Sequence, residues 1–169
     1  GAIEEGGYHH YATYLKRQIQ VEAEEKVPEG KMAKLLYDMY QPDCAKYAEE
    51  SDVPQIYELL LENFDLQADH IPSEDDLLQI VKEKEVMIYK IGDKIECFFI
   101  YRREGKKLYC AFSYNHASAD ILYSIERRVK EIEYEENGIK MHYAWFNAEN
   151  KKALRRNAWK DTKIRDYIF

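Results

Sequence analysis

The stretch that most constrains the fold is 106–150, KKLYCAFSYNHASADILYSIERRVKEIEYEENGIKMHYAWFNAEN. It runs apolar strand, polar loop, long amphipathic helix, apolar strand. From Lys107 to Tyr114 the residues alternate, with Leu108, Cys110, Phe112 and Tyr114 on one face and Tyr109, Ala111 and Ser113 on the other. Period two without Gly or Pro predicts a strand buried on at least one side. Asn115, His116 and Ser118 interrupt it, and Asn115 or Ser118 is placed to cap the next helix. In that helix Ile121, Leu122, Ile125, Val129 and Ile132 form one apolar stripe at spacings of three and four. Asn137-Gly138 suits a left-handed C-terminal cap. Ile139 to Phe146 is then a second, aromatic-rich strand. A helix of this length is enough for a crossover, so the two strands are expected to run parallel, joined right-handedly. A ligand of such a unit sits beyond the carboxyl end of the first strand, where the helix N-terminus offers unpaired N–H groups. Here that place is Ser113 to Ala119.

The rest of the chain supports this unit. Residues 1–46 are expected to be helical. Tyr8, Tyr11, Ala12, Leu15, Ile19 and Ala23 form one stripe, and Met32, Leu35, Leu36, Met39 and Tyr40 a second, with Pro28 and Gly30 between them. This arm would pack on the domain that follows, form a homodimer contact, or be the tail of an upstream domain. Residues 47–169 are expected to be that domain. Ser51-Asp52 opens a helix burying Val53, Ile56, Tyr57, Leu60 and Phe64, and Ser73 caps a shorter one burying Leu77, Leu78 and Val81. Val86–Ile91 and Ile95–Arg103 form a hairpin around Gly92-Asp93, and Glu104-Gly105-Lys106 turns into the strand at 107. After the crossover, Asn147 caps a helix to about Lys160, and Lys163 to Phe169 is a closing strand.

Composition narrows the function classes. With 169 residues, 46% hydrophobic and 34% charged, the chain can bury a sizeable core. No apolar run approaches the roughly 20 residues of a membrane span, so no membrane role is expected. The net charge of −7 argues against general nucleic-acid binding. The charge is uneven, since 140–169 carries eight basic residues against three acidic ones, +5 against −12 for the remainder. Cys44, Cys97 and Cys110 are odd in number and read as reduced core thiols of a cytoplasmic protein. The chain begins at Gly1 without an initiator Met, consistent with a segment of a longer protein.

This order of elements resembles the GNAT superfamily of acyl-CoA-dependent N-acyltransferases, over about Ala45 to Phe169. The most specific piece is Ala144 to Phe169, AWFNAENKKALRRNAWKDTKIRDYIF, which looks like the family's late strand, its Asn-x-x-Ala helix (Asn150, Ala153) and its closing strand. The resemblance implies an α/β fold in which antiparallel strands lead into a parallel crossover. It also implies acetyl-CoA or another acyl-CoA as co-substrate, lying between the two parallel strands. The positions implied for it are Phe112, Ser113, Asn115, His116, Ala117, Ser118, Ala119 and Asn150. The acceptor would be a small-molecule or peptide amine.

Two departures stand beside this. The family's pyrophosphate loop carries glycines, because a Cβ obstructs close approach of backbone to phosphate. Asn115-His116-Ala117-Ser118-Ala119 has none, and Asn115 stands where a basic residue usually opens the loop. The family's general-acid Tyr, seven residues after the Asn of the late helix, falls on Asn157, which cannot donate a proton in that way. The alternative is therefore an inactive interaction module of the same fold, or one domain of a larger enzyme. No catalytic residue is assigned.

Other polar residues carry less. His142 inside its strand reads as a core or sheet-surface residue, Glu96 as an outward strand residue, and Ser113 lacks the context of a nucleophile. His9-His10 cannot form the i, i+4 metal clasp of one helix face, and no metal site is expected. Lys151, Lys152, Arg155 and Arg156 would suit a phosphorylated ligand or a solvated face.

Overall fold

A computed structural model describes residues 12–65, 69–147 and 164–168. Seven strands form one sheet: β1 (Ala12–Gln20), β2 (Lys46–Tyr47), β3 (Val86–Ile91), β4 (Lys94–Glu104), β5 (Lys107–Asn115), β6 (Met141–Asn147) and β7 (Ile164–Ile168). Among the described residues four α-helices accompany them: α1 (Lys31–Asp38), α2 (Val53–Asn63), α3 (Glu74–Lys82) and α4 (Ala119–Asn137). The sheet order is β2-β3-β4-β5-β6-β1-β7. Among the described residues only β5 and β6 pair parallel; the other neighbours are antiparallel.

The expected crossover is present. Helix α4 joins β5 to β6 and ends at Gly138 with φ +63°, the left-handed cap that Asn137-Gly138 implies. The hairpin turn at Gly92 and the turn at Gly105 also have positive φ, as glycine allows. Ser73 caps α3 by accepting a hydrogen bond from the Asp76 N–H at 3.1 Å. Pro54 sits in the first turn of α2, where its missing N–H costs nothing.

Two apolar cores lie on opposite faces of the sheet. Helices α2 and α3 press Ile56, Leu60, Leu77 and Val81 against Ile88, Phe98, Ile100 and Phe112. On the other face α4 presses Ile121, Leu122, Ile125 and Val129 against Met87, Phe99, Tyr101 and Leu108. Each such aliphatic side chain contributes about 1.5–3 kcal/mol through burial. Ion pairs then fix α4 at its carboxyl end. The fully buried Glu133 carboxylate accepts two hydrogen bonds from the Arg103 guanidinium, both 2.7 Å, and one from Asn137 Nδ2 at 2.8 Å. The same guanidinium donates to the carbonyls of Glu83 and Lys84, which form the left-handed turn after α3.

Two expectations are corrected. Residues 12–20 are a strand, not a helix: β1 pairs antiparallel with β6 from Tyr14–Asn147 to Gln20–Met141, and with β7 on its other side. The physical reason is non-local. Two strand edges are available to a segment whose Thr13, Tyr14 and Ile19 favour extended backbone. The second stretch does form a helix, α1, but it ends at Asp38, so Met39 and Tyr40 lie beyond it, and Met32 and Leu35 are exposed. The faces of β5 also differ from simple alternation. Phe112 pairs with Ile100 but Cys110 pairs with Tyr101, so Ala111 is an extra residue and makes a β-bulge. Leu108 and Cys110 therefore face α4, while Phe112 and Tyr114 face α2 and α3. The helix expected from Asn147 to Lys160 lies outside the described residues; β7 agrees with the closing strand.

Residues 21–45, including α1, run across the outside of α4 and connect β1, near one edge of the sheet, to β2 at the other. The Gln41 N–H donates to Ser124 Oγ at 2.9 Å and Gln41 Nε2 to Asp120 Oδ2 at 3.2 Å. The Arg127 guanidinium lies 4.6 Å from the Tyr37 ring centre and 4.0 Å from that of Tyr40. It thus pins this strap by two cation–π contacts.

Candidate functional site

The parallel pair is short. Lys107, Leu108 and Tyr109 of β5 pair with Met141, His142 and Tyr143 of β6, and no further rung follows. Beyond it the strands continue to Asn115 and Asn147 without pairing to each other. The bulge at Ala111 lies just past the last rung and bends β5, as bulges do. A slot therefore opens between the carboxyl ends of β5 and β6, whose facing backbone edges make no ladder to each other there.

The loop 115–118 and the first turn of α4 close the carboxyl end of β5. Asn115 Oδ1 accepts the Ala117 N–H at 3.0 Å and Asn115 Nδ2 donates to the Ser118 carbonyl at 3.2 Å. The Asn115 side chain thus folds the loop on itself rather than capping the helix. Ser118 occupies the N-cap position, with no hydrogen bond from its side chain to the helix. The His116 N–H donates to the Glu96 carbonyl at 2.7 Å, which anchors the loop to the bulged part of β4. Its imidazole is exposed at the rim. Ala117 is half-buried, and Ser118 and Ala119 are exposed. Of the first-turn N–H groups of α4, that of Ile121 donates to the Ser118 carbonyl at 3.1 Å, while helix geometry gives those of Ala119 and Asp120 no partner within the helix. A carboxylate, Asp120, already stands in that turn, buried and bonded to Gln41.

The other expected positions that are described lie on the two faces of β5. Phe112 is 9% exposed and meets Phe64 edge-on, with centroids 5.1 Å apart. Ser113 pairs with Phe99, on the face of α4. Asn150 lies outside the described residues, as do Asn157 and the basic cluster 151–156. Glu96 pairs with Lys94 at 3.7 Å. Among the described residues no group of His, Cys, Asp or Glu is arranged to hold a metal ion, and no helix is long and apolar enough to cross a membrane.

On the α4 face of the parallel pair, Cys110 Sγ lies 3.9 Å from His142 Nδ1. Burial pushes the Cys110 thiol up to about 12, helped by Glu126. Burial also lowers His142 to about 3, assisted by Lys130 and Arg17. Both groups are neutral at pH 7, so this pair is not an activated Cys–His nucleophile. His142 is half-buried on this face of the sheet, within the core or sheet-surface reading of its strand position.

The opposite face carries an aromatic cluster. Tyr109 and Tyr143, the last rung of the parallel ladder, stack with centroids 5.1 Å apart and planes at 20°. Lys16 of β1 lies opposite Trp145 of β6, and its ammonium sits 4.6 Å from the Tyr143 ring centre and 5.4 Å from that of Trp145. The Tyr143 hydroxyl donates to the Glu104 carboxylate. Burial, and then this bond, raise the Tyr143 phenol. Tyr109 is raised by burial, then by the charges of Glu104 and Asp69. The signal that could have found the cluster is phase: Tyr109, Tyr143 and Trp145 share one face once the two strands are parallel. Lys16 was hidden by the helical expectation for residues 8–23.

No family model and no curated protein matches this chain. Solved structures do. A GCN5-related N-acetyltransferase from Sphaerobacter thermophilus matches with a TM-score of 0.65 at 17% identity, over 99% of this chain and 53% of that one. One from Kribbella flavida gives 0.56 at 11%, over 99% and 39%. A conserved protein of unknown function from Enterococcus faecalis V583, described as a probable N-acyltransferase, gives 0.58 at 13%, over 99% and 40%. The chain thus spans about half, or less, of the length of these proteins.

Proposed function

We propose, on a fold that is the one seen in GCN5-related N-acetyltransferases, that this chain is an N-acyltransferase domain passing an acyl group from acyl-CoA to an amine. The observation that carries the proposal is the slot, with a three-rung parallel ladder that stops at Tyr109 and Tyr143 and strands that part above the start of α4. The β5 backbone beyond the bulge would hold the extended pantetheine chain through its free N–H and C=O groups. Residues 115–119 would meet the pyrophosphate, with Phe112 and Ser113 beneath and Asn150 from the late segment. The thioester supplies an electrophilic carbonyl when bound. The chain itself contributes alignment of the two reactants and N–H donors for the oxyanion.

Calorimetric titration with acetyl-CoA tests this. Saturable heat and a raised melting temperature are expected, and His116→Trp, at the rim of the loop, should abolish both while leaving the fold intact. No heat and no thermal shift at millimolar acetyl-CoA would reject the transferase. Unchanged affinity in His116→Trp would show that the phosphate end lies elsewhere.

A second function, an interaction module of this fold without the cofactor, is favoured by two specific features. The Ala117 N–H is already spent on Asn115, and Asp120 already places a carboxylate in the first turn of α4. Acidic side chains in a first turn satisfy the helix dipole in place of an external anion. The same titration separates the two.

A further inference from the structure

We infer that Tyr109, Tyr143 and Trp145 form a seat for a primary alkylammonium, and that the Lys16 ammonium occupies it as a built-in stand-in for a cationic amine acceptor. What becomes of the amine rests on the N-acyltransferase proposal; its binding does not.

The seat is defined by geometry. A cation within about 6 Å of a ring centre is held by the ring quadrupole. Lys16 Nζ meets that distance twice, at 4.6 Å over Tyr143 and 5.4 Å over Trp145. Tyr109, stacked at 5.1 Å on Tyr143, backs the first ring. The hydrogen bond from Tyr143 to Glu104 places a carboxylate beside the same ring, which adds negative potential. All four side chains are only half-buried, so solvent reaches the seat. Its rings are therefore not a sealed core.

Position gives the seat its meaning. Tyr109 and Tyr143 are the last rung before the strands part, and Trp145 stands on the parting segment of β6. A guest amine would lie at the mouth of the slot. Aromatic faces select charge and shape together, since an ammonium with an apolar stem gains from rings where a hydrated metal ion or an alcohol gains less. Lys16 is held by its backbone in β1, but its side chain is long and rotatable. Exchange of one ammonium for another on the same rings leaves the electrostatics of the seat unchanged. The preferred acceptor class is thus a primary amine on an unbranched carbon chain, a lysine side chain or a small diamine, and not an anionic or aromatic amine.

The experiment opens the seat. In a Trp159→Phe background, which leaves Trp145 as the only tryptophan, Lys16→Ala is titrated with n-butylammonium chloride and, separately, with n-butanol. Trp145 fluorescence is read, without acyl-CoA. We expect saturation by butylammonium about tenfold tighter than by butanol, equivalent to about 1.4 kcal/mol. The parent with Lys16 should bind butylammonium at least fivefold more weakly. Tyr143→Phe, which keeps the ring, should retain most of the preference; Tyr143→Leu should lose it. Circular dichroism and melting temperature check the fold of each variant. Equal affinity for the two ligands in Lys16→Ala, or an undiminished preference in a folded Tyr143→Leu, would overturn the proposal. Failure of acetyl-CoA to bind leaves this result standing, and failure of the amine to bind leaves the acetyl-CoA result standing.

Discussion

Removing the carboxylate of Glu133 should be among the costliest single changes in this chain. Glu133 is fully buried near the end of α4 and faces the Arg103 guanidinium through two bonds of 2.7 Å. That arrangement holds the Arg103 pKa above the ordinary arginine range, by hydrogen bonding against the cost of burial. In Glu133→Ala the guanidinium keeps its carbonyl partners at Glu83 and Lys84 but loses its counter-charge. Breaking a buried pair from one side typically costs about 3–5 kcal/mol. The Arg103 side chain is 28% exposed, so water screens part of the loss. A value of about 3 kcal/mol is expected. With a urea m-value of about 2 kcal/mol/M, the midpoint should fall by about 1.5 M. Arg103→Met, and then the double variant, complete a cycle. A coupling energy of about 2 kcal/mol is expected between the two sites. Equilibrium urea unfolding followed by circular dichroism and by tryptophan emission measures all four proteins. If the two single losses simply add to within about 0.5 kcal/mol, the pair is not coupled and α4 is fixed by its apolar stripe alone.

Two further outcomes are expected. Arg127→Ala removes the cation between Tyr37 and Tyr40, and should cost about 1–2 kcal/mol; hydrogen exchange should speed up over 31–44 before any change appears in the sheet. His142 is held neutral by burial, with its pKa near 3 against 6.5 for the ordinary side chain. The unfolded chain therefore binds a proton that the folded chain refuses between these values, and stability falls as pH drops from 6.5 toward 3. His142→Gln should flatten that slope by about 2 kcal/mol between pH 7 and 4, after allowing for solvent screening, as read from urea midpoints across the range.

Where the chain signals its structure locally, the sequence is a sufficient guide. The crossover, both hairpin turns, the Ser73 cap and the Gly138 stop follow from periodicity and from residues whose backbone preferences are strong. The misreadings share a different cause. Residues 12–20 satisfy a helical stripe and a strand alike, and partners more than a hundred residues away decide between them. The bulge at Ala111 has no glycine to announce it and exists only relative to β4. Both errors hid the aromatic seat, because a cluster built from β1, β5 and β6 is invisible until register is known. The slot itself was legible as a strand followed by a capped helix. The way Asn115 consumes one of its amides was not.

The position of β1 also has a consequence for how the chain is made. Among the described strands β1 precedes all the others in sequence yet lies between the two that come last, so Tyr14 waits for Asn147 and Asp166 before either flank is paired. Until then an aromatic-bearing ribbon with two open edges leaves the ribosome ahead of its neighbours. Such an edge invites wrong partners. Maturation of this half of the sheet must be a late, long-range closure, intrinsically slow compared with the hairpins at its centre. A chain lacking β1 would keep those hairpins and lose the bridge that ties β7 to them.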